Sequence, residues 1–104
     1  MIRQFDVVSN PDSEESAQRP YLVVLQSDLV HDLRSAIVAP LVVHNAIEGA
    51  RRLNPIIAVE GHEFWLATHE LFAVDRRILR NKVATAAEHR DAIIAALDFV
   101  FTGF

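Results

Sequence analysis

The chain has 104 residues, of which 51% are hydrophobic, and a formal net charge of −4. The negative charge argues against phosphate-driven binding of nucleic acid, and the absence of cysteine excludes disulfides and thiolate chemistry. The longest apolar runs, such as Ala36 to Val43 with Pro40 inside, are too short to cross a bilayer. Read as one domain over residues 1–104, a chain of this size buries only about 60–65% of its unfolded surface. Mean hydropathy is +0.18, so spare apolar surface is expected, and such surface usually goes into an interface. Met1-Ile2-Arg3-Gln4-Phe5-Asp6 has no signal-peptide core, which fits a cytoplasmic protein.

In chain order, Gln4 to Val8 reads as a first strand, followed by a polar loop at Asn10-Pro11-Asp12-Ser13-Glu14-Glu15-Ser16. Tyr21 to Gln26 is β-branched and apolar after Pro20 and predicts a second strand. Ser35 to Val43 predicts a third, with Pro40 implying an edge or a bulge. His44 to Leu53 fits either a helical turn or a loop. Pro55 to Glu60 and Glu63 to Thr68 read as strands joined by a tight turn at Gly61-His62. Leu71 to Asp75 and Arg77 to Leu79 add short candidate strands. The short connections predict antiparallel pairing and a mainly β fold with a C-terminal helix.

Thr85-Ala86-Ala87-Glu88 matches a capping box and predicts a helix from Ala86 to about Phe101. Helical spacing puts Ala86, Ile93, Leu97, Val100 and Phe104 on one face, with Ile94 and Phe101 beside it. Glu88, Asp91 and Asp98 fall on the far side. Phe99, with Ala92, Ala95 and Ala96, also points away from the stripe, an aromatic where water is expected. The apolar pattern continues to Phe104, so this end is either tucked into its own core or offered to a partner.

Motifs for catalysis are missing. His31, His44, His62, His69 and His89 are scattered and do not make a zinc spacing; they read as surface histidines. No metal or cofactor is expected. With only Gly49, Gly61 and Gly103 there is no phosphate-binding glycine loop. Glu60, Glu63 and Glu70 read as solvated strand ends, and Arg51-Arg52 and Arg76-Arg77-Arg80 as salt-bridging surface cations. Trp65, between Phe64 and Leu66, reads as packing.

Three local patterns line up with one family. They are Val24-Leu25-Gln26-Ser27-Asp28-Leu29-Val30, Val38-Ala39-Pro40-Leu41, and the capped helix ending Phe101-Thr102-Gly103-Phe104. In this order they resemble the CcdB family, the toxins of toxin–antitoxin pairs. The resemblance implies a small SH3-like β-barrel with a long C-terminal helix, acting without enzymatic chemistry. It implies a two-fold homodimer that binds the DNA gyrase A subunit, traps the cleaved-DNA complex, and is neutralised by a CcdA-like antitoxin with a disordered C-terminal segment. It implies no direct nucleic-acid or membrane partner. The implied gyrase contacts are Leu29, Val30, Asp98, Phe101, Thr102, Gly103 and Phe104. Thr102 and Phe104 stand where better-known members carry Trp and Ile, and Asp98 stands in place of an amide. The arginine clusters could receive an acidic antitoxin segment. Two other readings stay open: an mRNA endoribonuclease on the related scaffold, which needs a cationic cleft and an acid/base pair, and a plain dimeric interaction module.

Overall fold

The computed structural model describes residues 2–12, 14–30 and 32–103. Among the described residues seven strands run in chain order: β1 (Asp6–Ser9), β2 (Tyr21–Val24), β3 (Ser35–Val42), β4 (Ile56–Val59), β5 (His62–Leu66), β6 (Phe72–Asp75) and β7 (Lys82–Thr85). One helix, α1 (Arg90–Thr102), follows. The strands form a single antiparallel, barrel-like sheet in the order β4-β5-β3-β2-β1-β7, with β6 also paired to β3.

β3 is the central strand, which corrects the expectation that Pro40 marks an edge. Along one side it pairs with β2 from Val38 to Leu41. Along the other, Ser35 to Val38 pair with β6, and Leu41 and Val42 pair with β5. Pro40 lies between those two partners. Its carbonyl accepts the Ala67 N–H at 2.9 Å, so its missing N–H falls in the seam where neither strand needs a donor.

Alternating side chains give the sheet two apolar faces. On one, Val7, Val23, Leu25, Ala39 and Leu41 pack with Ile57, Phe64 and Leu66, and Ile93 of α1 seals them. On the other, Val8, Leu22, Val24, Ala36 and Val38 form a smaller cluster with Leu79.

Several boundaries differ from the sequence expectation, each for a local reason. β1 starts at Asp6 because Phe5 adopts a left-handed φ of 68°. There its N–H reaches the Val24 carbonyl at 2.6 Å and its carbonyl takes the Ala86 N–H at 2.8 Å. Arg77 to Leu79 is not a strand: Asp75 accepts the Arg77 N–H at 2.9 Å and starts a 3-10 turn over Arg76–Ile78. β5 stops at Leu66, and Thr68–Glu70 forms another 3-10 turn whose Thr68 hydroxyl donates to the Leu53 carbonyl. β7 has no counterpart in the sequence reading. The capping box does not form; Thr85 Oγ1 accepts the Ala87 N–H at 3.2 Å, a 3-10 turn intervenes over Ala87–His89, and α1 begins at Arg90.

The ambiguous segment 44–53 is a loop folded onto Trp65. The His44 ring lies 5.2 Å from the Trp65 ring, and a Cβ added at Gly49 would run into the Trp65 indole. The buried Asn54 holds the end of the loop, accepting the Ala50 N–H at 3.2 Å and donating to the Leu66 carbonyl at 3.1 Å. Gly49→Ala therefore forces the loop off the indole. We expect a loss of roughly 1–3 kcal/mol, read as a lower midpoint in thermal or denaturant unfolding.

Candidate functional site

α1 is amphipathic, and its apolar stripe outruns the core. Ile93 and Ala96 are fully buried, and Ile94 and Leu97 pack partly against the same cluster. Ala96 thus faces inward, against the expectation that it lies on the water side. Phe101 continues the stripe one turn past Leu97, but it is 70% exposed. It lines a shallow groove of about 170 Å³ with Leu25, Gln26, Ile37, Leu71 and Leu97. Every lining residue is uncharged.

Gln26 lines this groove and opens the Gln26-Ser27-Asp28 run. Gln26 Nε2 donates to the carbonyls of Val30 and Ser35, both at 3.1 Å, and its Oε1 accepts the Ile37 N–H at 3.2 Å. Ser27 Oγ accepts the Leu29 N–H at 3.1 Å, and Asp28 accepts the Gln4 N–H at 2.8 Å. These bonds pin the 3-10 turn Asp28–Val30, which leaves Leu29 91% exposed and Val30 partly so. Gln26 links that turn to the groove that Phe101 lines.

The end of α1 is closed by its own chemistry. Gly103 has φ 79°, and its N–H caps the Phe99 carbonyl at 3.0 Å, the left-handed ending that glycine permits. Thr102 Oγ1 donates to the Asp98 carbonyl at 2.7 Å. Asp98, Thr102 and Gly103 are exposed and do not line the groove. Phe104 lies outside the described residues. Phe99, the aromatic assigned to the water side, is covered by a cation: the Arg52 guanidinium sits 4.3 Å from its ring centroid. That partner comes from the 44–53 loop, which the sequence left undecided.

Elsewhere the charged groups pair locally. Arg77 binds Asp75 at 2.8 Å, and Arg76 Nε and Arg80 Nε donate to the carbonyls of Leu33 and Arg77. Glu70 is not a solvated strand end. Arg19 grips it with two bonds, at 2.8 and 2.9 Å, and holds its carboxyl below the usual carboxylate range. Among the described residues no group of three or more His, Asp or Glu could hold a metal ion. No described helix is long and apolar enough to cross a membrane.

The profile of the CcdB protein family matches residues 4–103, nearly the whole length. The chain belongs to the CcdB family. No curated protein is similar enough to count as a relative. Among solved structures, the Mycobacterium tuberculosis toxin MazF-mt6 superposes on this CcdB-family fold with a TM-score of 0.71. The match covers 95% of this chain and 96% of that one at 13% identity, a likeness of fold alone. The family assignment agrees with the Gln-Ser-Asp and terminal-helix patterns, whose structural work is now visible.

Two predictions follow from these placements. Phe101→Ser changes unfolding free energy by no more than about 0.5 kcal/mol, because the ring is already in water, whereas Ile93→Ala costs about 2–4 kcal/mol; denaturant melts of the pair separate a surface role from a core role. The Arg19–Glu70 bridge contributes above the ordinary glutamate range and is lost as pH falls through the depressed native value. Its partial exposure limits that contribution to about 0.5–1 kcal/mol. Glu70→Gln should therefore be less stable than the parent at pH 7 by about that amount, with the gap closing as pH falls below the ordinary glutamate range, measured by urea unfolding across the range.

Proposed function

We propose that this CcdB-family protein is the toxin of a toxin–antitoxin system that acts on DNA gyrase. Family membership suggests the toxin role and an antitoxin partner. The gyrase reading rests on one observation above others: a large aromatic, Phe101, left in water on the last turn of the terminal helix beside an uncharged apolar groove. Burying such a ring supplies the kind of desolvated anchor that dominates protein interfaces. The exposed Leu29 on its pinned turn, and the exposed Asp98, Thr102 and Gly103, would extend the contact.

In this reading the protein works as a homodimer. The two helix ends then engage the gyrase A subunit together, which raises their effective concentration. No bond is made or broken by the toxin. It binds the cleaved-DNA state of gyrase more tightly than the resealed state and shifts the population toward it. A CcdA-like antitoxin would reverse this by folding its disordered segment onto the toxin.

The test is a plasmid-linearisation assay with purified gyrase. Intact protein should leave linear DNA after denaturation of the complex. Phe101→Ser, and a chain lacking residues 103–104, should lose this while keeping their melting temperature and dimeric mass. Linearisation that persists in both variants rejects the contact. Degradation of RNA by the purified protein, with gyrase untouched, would replace it with the endoribonuclease reading.

A further inference from the structure

A second apolar surface lies on the opposite face of the sheet from α1. Asn10, Asp12, Glu15 and Arg19, from the segment after β1, line it and leave a cleft of about 680 Å³. Phe72, Val74 and Ile78 are on its floor, and two of them, Phe72 at 43% and Ile78 at 44%, are substantially exposed. Asp12, Glu15, Glu70 and Arg19 stand on its rim. Three carboxylates face one guanidinium there, an excess of two negative charges.

The chain itself shows what this rim accepts. Arg19 places its guanidinium among the carboxylates, bidentate on Glu70 and 3.6 Å from Glu15. That satisfies Glu70 and leaves Glu15 with a longer, half-exposed contact. Among the described residues, the Asp12 carboxylate accepts the Glu14 N–H from its own loop, at 3.0 Å. An RNA or DNA backbone is repelled by this charge. A second copy of the chain docked face to face would bring two such rims together.

We propose that the cleft is a docking site for a protein segment that pairs an apolar side chain with a basic one. The apolar group covers Phe72 and Ile78, and a neighbouring Lys or Arg meets the Asp12 and Glu15 carboxylates. The site is separate from the Phe101 groove and does not depend on the gyrase reading.

Fluorescence anisotropy of the intact protein with a labelled peptide of alternating phenylalanine and arginine tests this. Two matched peptides replace arginine by glutamate, or phenylalanine by serine. Only the first should bind. Glu15→Lys and Ile78→Asp should each weaken it by about tenfold or more, while Glu63→Lys, an equal charge change on exposed β5, leaves it unchanged. Thermal melts establish that each variant is folded, and Glu15→Lys on the exposed loop stands alone if Ile78→Asp is not. Absence of binding by the first peptide, equal binding of the glutamate peptide, or an affinity indifferent to Glu15→Lys overturns the proposal. Tighter binding of an RNA oligonucleotide in the cleft, lost in Ile78→Asp, overturns it in favour of a nucleic-acid site.

Discussion

Strand β3 has to meet neighbours along both of its edges while carrying a proline that cannot donate. The solution is a change of partner at the proline: β6 takes the first half, β5 the end, and the seam falls at Pro40. Much else follows from that change. The chain between β5 and β6 must turn away from β3 and come back, and the 3-10 turn Thr68–Glu70 does this. Thr68 then ties to Leu53, and Glu70 reaches across to Arg19. β6, paired on β3's upper half, carries Phe72 and Val74 to the floor of one cavity, while Leu71 just before it lines the other.

The terminal helix depends on the same frame. Its inward residues, Ile93 and Ala96, fill the face made by β1, β2 and β3, and once that face ends the stripe has nothing further to cover. An apolar ring that continues the pattern beyond the core is a cost in an isolated chain, since burial of such a side chain is worth about 1.5–3 kcal/mol. The helix end is nonetheless well made: Gly103 closes it with a left-handed cap and Thr102 bonds back one turn. A rigid, capped helix end holding an unburied aromatic suits recognition, because little ordering is left to be done on contact.

Much of the fold was legible in the sequence. Strands with long apolar or β-branched runs, such as Tyr21–Val24 and Ser35–Val42, announce themselves by periodicity. β7 did not: Lys82-Val83-Ala84-Thr85 is short, flanked by Asn81 at φ 56°, and held by its ladder to β1. The capping pattern at Thr85 misplaced the helix start because Ala86 is fixed elsewhere, through its N–H to Phe5. Within the candidate site, the place of Phe101 beside the helix stripe was readable from spacing, whereas Leu29 entered only through the family resemblance. The groove walls Ile37 and Leu71, and the Arg52 cover on Phe99, were not readable. Those are contacts between segments far apart in sequence, and no local period encodes them.

The two apolar surfaces differ in one property that decides their partners. The Phe101 groove has no charged lining, so association there is governed by shape and by apolar area, and salt should matter little. The β6 cleft is edged by carboxylates around a single guanidinium, so charge selects what can approach before any apolar contact forms. A protein of this size with two unlike surfaces on opposite faces of one sheet can meet two different molecules without one blocking the other. Phe72 and Val74 of β6 line the cleft, and Leu71, the residue before the strand, lines the groove, so the two surfaces share a backbone segment without sharing a side chain.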